Sequence, residues 1–241
     1  VAADQVAQRA EVLAAVAGVD LRDGAEEVVR DPREVRLGAR GAEPERTVGP
    51  DLDAAKKTIE TFFGETGYEN FEIVALCGED LTKDLENAFR RENFKTVKRE
   101  NRSEAENLNR AVLQSSGEIL CFVETNLRPL EKGWLEELAG FAFQKEIGAS
   151  GAKILERDET VLDAGLIFGF DGLMGPAHRG LSREADGNFY RARVINNFSA
   201  VSISGLTTHR AAFDEAGGFD AENTPDALFA ADYCLRAGRE K

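Results

Sequence analysis

The chain has 241 residues, of which 42% are hydrophobic and 31% charged, proportions typical of a globular protein with one sizeable core. Its formal net charge is −14, which argues against a nucleic-acid-binding protein because phosphate contacts need a basic face. The three cysteines, Cys77, Cys121 and Cys234, lie far apart in apolar runs. We interpret them as reduced core residues.

The sequence carries no signal that directs the chain to a membrane. No apolar stretch approaches the roughly 20 residues that a spanning helix needs. Residues 1–17 lack the charged start and cleavage pattern of a signal peptide. We therefore expect a cytoplasmic protein with no transmembrane segment.

The first fifty residues differ in composition from the rest of the chain. Residues 2–17 are rich in alanine, with apolar side chains at helical spacing, and predict a helix. Residues 20–50 are crowded with charged residues and glycine, and only residues 35–39 look like a strand. We divide the chain into an N-terminal extension, residues 1–50, and a domain, residues 51–241.

From Asp51 onward, helical and apolar segments alternate in the way that a doubly wound sheet requires. Buried strands are predicted at residues 71–76 and 118–123, where the apolar runs are continuous. Helical patterns precede, separate and follow them, at residues 51–63, 81–92, 103–113 and 132–143. Ligands of such folds bind at the carboxyl ends of the strands.

Three later segments complete the predicted domain. Residues 194–203 form an apolar run that is typical of a strand closing a mixed sheet, and residues 210–216 predict a short helix. Residues 165–187 are rich in glycine and predict a loop with short strands.

Five motifs, taken in order, resemble the catalytic domain of family 2 glycosyltransferases, inverting enzymes that move a sugar from a nucleotide donor. They are Asn109-Arg110-Ala111-Val112, Gly165-Leu166-Ile167-Phe168-Gly169, Ser204-Gly205-Leu206, Gly217-Gly218-Phe219-Asp220 and Asp232-Tyr233-Cys234-Leu235-Arg236. The resemblance covers about residues 71–236. It implies a GT-A-like α/β fold, with a Rossmann-like, mixed and mostly parallel sheet flanked by helices.

The family places a carboxylate-rich triplet after its central strand, where it contacts the donor and binds a divalent cation. The matching residues here are Glu124-Thr125-Asn126. The resemblance implies that Glu124 contacts the donor ribose and that Glu124 and Asn126 hold Mn²⁺ or Mg²⁺. An Asn carbonyl lacks the charge of a carboxylate, so cation binding would be weak. A polar turn without a ligand explains the same residues.

The family also carries an Asp that binds the donor base at the end of an earlier strand, and Cys77 occupies that place here. A thiol is a poor hydrogen-bond acceptor. Asp80 lies close by in the sequence and is the candidate substitute, although a solvated loop carboxylate explains it equally. Cys77, Asp80 and Glu124 are therefore the candidate donor-binding residues.

The resemblance also identifies where the general base should lie. Alignment on the Asp232 motif puts Phe229 and Ala230 where the family has an acidic pair. Neither side chain can accept a proton, and a general base commonly contributes about 10²–10⁴ in rate. Asp226 lies a turn earlier and could serve as the base only if the segment is shifted, and Glu222 is a more distant candidate.

Asp220 is retained from the family motif, where the Asp lies near the acceptor. It is a catalytic candidate together with Asp226, or else it only stabilises the turn after the glycines.

The remaining charged candidates are ambiguous. His178 and His209 have no metal-ligand spacing and are interpreted as ordinary polar residues. A local group of arginines either contacts a diphosphate or an acidic partner, or balances nearby carboxylates; its members are Arg179, Arg183, Arg191 and Arg193.

Two functional hypotheses follow from the resemblance. The first is a degenerate glycosyltransferase domain that serves as a scaffold, or binds a sugar, a glycan or a protein partner without turnover. The second is an active inverting glycosyltransferase that uses a nucleotide-diphosphate sugar and a variant metal site. The replaced site residues favour the first, and further domains of a larger chain could supply what this one lacks.

Overall fold

A computed structural model of the chain describes residues 15–19, 36–39, 52–125 and 127–239. The helices are α1 (Leu52–Glu65), α2 (Glu79–Ala88), α3 (Glu104–Gln114), α4 (Trp134–Ala142), α5 (Arg210–Glu215) and α6 (Phe229–Arg239). The strands up to the middle of the chain are β1 (Ala15–Val19), β2 (Arg36–Ala39), β3 (Phe71–Cys77), β4 (Phe94–Lys98), β5 (Ile119–Val123) and β6 (Leu127–Pro129). Those that follow are β7 (Lys153–Leu155), β8 (Val161–Asp163), β9 (Leu166–Phe168), β10 (Met174–Pro176) and β11 (Thr207–His209).

Strands β3 and β5 are buried along their whole length, as their continuous apolar runs predict. Successive side chains of a strand point to opposite faces of the sheet. Ile73 and Cys121 accordingly pack with α1 and α4 in one core cluster. Val74 and Phe122 pack with α3 and α6 in a second cluster on the other face. The result is a sheet covered by helices on both sides.

The main sheet has the strand order β11-β5-β1-β3-β4 and is mixed, as expected. The expectation that it is mostly parallel is not confirmed, because β3 and β4 are its one parallel pair of neighbours among the described strands. The reason is that β1 lies between β3 and β5 and runs antiparallel to both. Because β3 and β5 both run antiparallel to β1, they still run in the same direction as each other.

The N-terminal residues contribute to both larger sheets. Ala15–Val19 is a strand, so the predicted helix over residues 2–17 is wrong at its end; residues 2–14 lie outside the described part. Arg36–Ala39 is a strand, which confirms the prediction for residues 35–39. It lies in a four-stranded sheet of order β6-β2-β7-β8. Strands β9 and β10 form a separate hairpin.

The strand predicted for residues 194–203 is wrong. This segment is a loop in which Val194 is exposed and the Asn196 amide donates to the carbonyls of Arg191 and Val194, each at 2.6 Å. Such local side-chain bonds compete with the bonds of a strand ladder. Strand β11 closes the sheet instead, immediately before the predicted helix α5.

Within the part of the chain that the structure describes, no helix has the length and apolar character needed to cross a membrane.

Candidate functional site

The carboxyl ends of β3, β4 and β5 meet at one edge of the main sheet. β4 pairs parallel with β3, and β5 has the same direction because both β3 and β5 oppose β1. Cys77 ends β3, and Glu124 follows β5 directly. Open α/β sheets bind ligands at this edge, and two of the candidate donor-binding residues, Cys77 and Glu124, lie there.

Glu124 is half-buried, and its carboxylate accepts a hydrogen bond of 2.5 Å from the Ser204 hydroxyl. Ser204 is brought there by β11, which runs antiparallel to β5 and starts at the edge where β5 ends. Backbone bonds from Gly205 to Phe122 (2.7 Å) and from Phe122 to Leu206 (2.8 Å) fix this register. The Ser204-Gly205-Leu206 motif is therefore next to Glu124. Asn126 lies outside the described residues.

Cys77 and Asp80 have different surroundings although they are close in sequence. The Cys77 side chain is buried, and its sulfur lies 3.6 Å from the Thr82 hydroxyl. Asp80 is exposed in the first turn of α2, where a carboxylate interacts favourably with the helix dipole. Helix stabilisation is thus sufficient to explain Asp80.

The Asp220 carboxylate binds the turn that follows it. It accepts hydrogen bonds from the backbone N–H of Asn223 (2.9 Å) and Glu222 (3.1 Å), and from the Asn223 amide. The backbone and side-chain bonds from Asn223 hold the pKa of Asp220 below its ordinary value. A carboxylate in this state is a weaker base than an unperturbed one.

Asp226 is exposed and bonds a helix that is 122 residues away in sequence. Its carboxylate accepts a hydrogen bond of 3.0 Å from the backbone N–H of Glu104, the first residue of α3. Ser103 caps the same helix by accepting from Glu106 N–H at 3.2 Å. Two oxygen acceptors therefore satisfy N–H groups that the helix itself leaves open. Asp226 therefore lies at the N-terminus of α3.

Phe229 and Ala230, which the resemblance aligns with an acidic pair, contribute to a hydrophobic core cluster. Phe229 is 4% exposed, and its ring packs edge-on against Phe219 with centroids 4.9 Å apart. Ala230 is partly buried against the same cluster. An acidic side chain at position 229 would need a different local structure, because a buried carboxylate without a partner is strongly destabilising.

Sequence reasoning missed the role of Asn109. Its amide donates 2.8 Å to the Phe219 carbonyl, and its oxygen accepts 3.0 Å from the Phe219 N–H. A β-carbon on Gly218, which has φ +71°, would lie 3.0 Å from the same amide oxygen. The Asn109 motif and the glycine pair thus form one contact. Both motifs were recognised in the sequence, but they are about 110 residues apart, so the sequence alone did not indicate that they touch.

Arg236 lies one turn after Asp232 on α6, at a spacing that permits an ion pair between the two side chains. That bond is present at 2.7 Å, but the guanidinium also donates to the carbonyls of Ala216 and Gly218, the latter at 2.9 Å. These carbonyls end α5 and enter the glycine turn. Arg236 therefore fastens α6 to the end of α5, which is a structural role.

Three of the other charged candidates have structural partners as well. Arg183 pairs with Glu159 at 3.0 Å, and Arg193 pairs with Asp186 at 3.0 Å, so these two arginines balance neighbouring carboxylates. The His209 ring accepts from the Ala211 N–H at 3.1 Å and caps α5.

Of the two residues of the expected cation site, Glu124 and Asn126, the structure describes Glu124. Glu124 offers a carboxylate at the sheet edge, but no three His, Cys, Asp or Glu side chains of the described part are grouped so that they could hold a metal ion. Each described candidate instead has its own environment: Cys77 by Thr82, Asp80 on α2, Glu124 by Ser204, Asp220 in its turn and Asp226 on α3.

Comparison with known proteins identifies two relatives in sequence. The chain is 30% identical over 192 residues to the uncharacterized protein y4gI of Sinorhizobium fredii, a match over 77% of this chain and 21% of that protein. It is 33% identical over 113 residues to the O-antigen biosynthesis protein RfbC of Myxococcus xanthus, covering 46% of this chain and 9% of that protein. The matches thus span about a fifth or less of these relatives. No protein-family model matches the chain.

A solved structure supplies the fold comparison. The mannosyltransferase PcManGT of Pyrobaculum calidifontis, determined in complex with GDP-Man and Mn²⁺, superimposes with a TM-score of 0.53. The match covers 88% of this chain and 54% of that one, at 12% sequence identity. Likeness at such identity concerns the fold, and the match to RfbC is in line with it. The chain has a glycosyltransferase-like α/β fold.

Proposed function

We propose that this chain is a degenerate domain of the family 2 glycosyltransferase type, with a GT-A-like fold, that serves as a scaffold or binding module without transferring sugar. The observation that carries the proposal is Phe229. It takes the place of the acidic pair and packs into the core against Phe219. A group that could remove a proton from an acceptor is thereby replaced by part of the hydrophobic core.

The state of the two remaining catalytic candidates supports the same proposal. Asp220 is bound by two backbone N–H groups of its own turn, and Asp226 by the first N–H of α3. Both carboxylates stabilise local structure in their present positions. To act as a general base, either would have to give up these bonds, which would cost stability.

The experiment is a donor-turnover assay on the chain with UDP-sugars and GDP-sugars in the presence of Mn²⁺, combined with calorimetric titration of the same donors. We expect neither turnover nor a saturable heat of binding, from a protein that unfolds cooperatively. Turnover that requires Mn²⁺ and is lost in Glu124→Gln would overturn the proposal. Asp84→Asn, an exposed change on α2, is the matched control for loss of one carboxylate.

A second candidate function, an active inverting glycosyltransferase, is favoured by one observation. Glu124 lies at the carboxyl edge of the sheet and is held by the Ser204 hydroxyl, so its position would suit contact with a donor. In this alternative Glu124 and Asn126 would hold Mn²⁺ or Mg²⁺ weakly, and Cys77 and Asp80 would face the donor. The solved neighbour, bound to GDP-Man and Mn²⁺, motivates these ligands.

Asp226→Asn separates the two candidates. The Asn side chain keeps an oxygen that can accept from Glu104 N–H, so the fold should be retained in either case. If Asp226 is a general base, turnover falls by about 10²-fold or more. If the domain is degenerate, the variant and the wild-type chain behave alike.

A further inference from the structure

A cavity of about 590 Å³ lies apart from the candidate donor site. Its walls are residues 148–151, the loop of residues 191–201, and residues 234–238 of α6. Glu124, Cys77, Asp80, Asp220 and Asp226 are not among the described residues that line it. The volume falls within the range of about 300–1,000 Å³ that is typical of small-molecule sites.

The loop that forms one wall is fixed at both ends. The buried Lys153 ammonium donates to the carbonyl of Ala192 at 2.8 Å, and Leu166 N–H donates to the carbonyl of Ala200 at 2.8 Å. Between these anchors the Asn196 amide bonds two carbonyls of its own loop. The cavity is therefore formed before any ligand arrives, which lowers the entropic cost of binding.

The lining combines apolar surface with positive charge. Its apolar side chains come from α4, the loop and α6: Leu138, Phe141, Val194, Ile195, Phe198 and Leu235. Of the described residues that line it, Lys153 and Arg191 carry fixed positive charge, whereas Glu146 is the acidic one. This balance is the reverse of the whole chain, whose net charge is −14. A negatively charged group is thus favoured here over a positive one.

We propose that this cavity binds a small molecule with an apolar body and a single anionic group. The apolar body lies against the side chains of α4, α6 and the loop. Arg191 is exposed, and its Nε donates 3.3 Å to the Asn196 side chain, which orients the guanidinium. A planar guanidinium binds carboxylate, sulfonate or phosphate oxygens through paired hydrogen bonds.

Two fluorescent probes test the apolar and anionic parts separately. Anilinonaphthalene sulfonate has an apolar body and one sulfonate, whereas N-phenyl-1-naphthylamine has the same body without the charge. We expect saturable binding of the sulfonate at one site per chain, at least about tenfold tighter than the neutral probe, as one charge-assisted hydrogen bond supplies. Non-saturable binding, or equal affinity for both probes, would overturn the proposal.

Matched variants locate the probe. Gly238 lines the cavity on α6, and Gly140 lies on α4 outside it; an added β-carbon meets nothing within 4 Å at either position. Gly238→Leu should abolish sulfonate binding, and Gly140→Leu should leave it unchanged. Circular dichroism melts establish that both variants are folded. If folded Gly238→Leu binds the sulfonate as the wild-type chain does, the site assignment is wrong.

The charge is tested in the same assay. Arg191→Gln should reduce the preference for the sulfonate over the neutral probe to within about twofold. Arg179→Gln, an exposed arginine outside the cavity lining, should not change the preference. An unaltered preference in Arg191→Gln contradicts the role assigned to this side chain.

Discussion

At the scale of single residues, Asp226 illustrates how a candidate catalytic carboxylate can stabilise the fold. Its bond to the Glu104 N–H joins the segment before α6 to the start of α3. We expect Asp226→Ala to lower the free energy of unfolding by about 0.5–2 kcal/mol, the cost of losing a helix-cap acceptor. Urea denaturation measures the change. Asp226→Asn keeps an acceptor and should lose less.

The alternative outcome for Asp226 is equally specific. If Asp226→Ala is as stable as the wild-type chain, solvent replaces the carboxylate at α3 without cost. The carboxylate would then have no measurable structural role, and the reason for favouring a degenerate site would be weaker.

Asn109 is a second residue whose side chain should contribute to the free energy of unfolding. Its amide satisfies both backbone groups of Phe219, and the Phe219 residue is 2% exposed. Asn109→Ala leaves both groups without this partner, so the free energy of unfolding should fall by about 1–3 kcal/mol. Asn87→Ala, which removes an exposed amide bonded to Arg90 on α2, is the control. If urea denaturation shows equal losses of unfolding free energy for Asn109→Ala and Asn87→Ala, the two bonds of Asn109 to the Phe219 backbone do not stabilise the fold as proposed.

At the scale of elements, aromatic packing joins α6 to the main sheet through Phe219. Phe219 contacts Phe122 of β5 and Phe229 of α6, with ring centroids 5.1 and 4.9 Å apart. Phe229→Ala should lower the free energy of unfolding by about 3–5 kcal/mol, as truncation of a buried phenylalanine does. Phe189→Ala removes a ring that is 94% exposed and should change stability by less than about 0.5 kcal/mol.

Urea denaturation of Phe229→Ala and Phe189→Ala, measured under the same conditions, gives the two changes in the free energy of unfolding. A small loss for Phe229→Ala would mean that α6 starts outside the core and that its first turn can rearrange. In that case an acidic residue could be accommodated at position 229, and the main support for the degenerate site would fail.

The elements differ in how far the sequence determines them. The strands β3 and β5 were predictable from continuous apolar runs, and α3 from its helical spacing. By contrast, the run Ala15–Val19 fits a helix or a strand, and its direction is set by pairing with β3 and β5. The sequence could place Glu124 after a central strand. It could not reveal the partners of Asp226 or Asn109, because those contacts join distant segments.

At the scale of the whole molecule, two hydrophobic clusters cover opposite faces of the main sheet. The motifs that resemble a glycosyltransferase lie largely in and around the second cluster, where Asn109, Phe219 and Arg236 tie α3, α5 and α6 together. These contacts give the motifs a structural role that does not depend on catalysis. They stabilise one half of the fold, so their presence is better support for the fold than for an activity.

At the scale of the whole molecule we also expect the free energy of unfolding to fall at alkaline pH. Burial raises the pKa of the Cys121 thiol from 9.0 to about 12 and that of Cys234 to about 11, and it also raises the pKa of Tyr233. Between the unfolded and folded pKa values the unfolded chain binds fewer protons. The free energy of unfolding therefore falls as pH rises above about 9, by at most about 1.4 kcal/mol per pH unit for each group.

The contribution of Cys121 can be isolated in strand β5. Cys121→Ala removes a titrating group and a small buried volume, whereas Val123→Ala in the same strand removes volume alone. Urea denaturation from pH 7 to 10.5 should show the deficit of Cys121→Ala shrinking above about pH 9, since this variant escapes the cost of keeping a thiol protonated. The deficit of Val123→Ala should stay constant. If the two deficits run parallel across the range, the Cys121 thiol does not control the alkaline loss of stability.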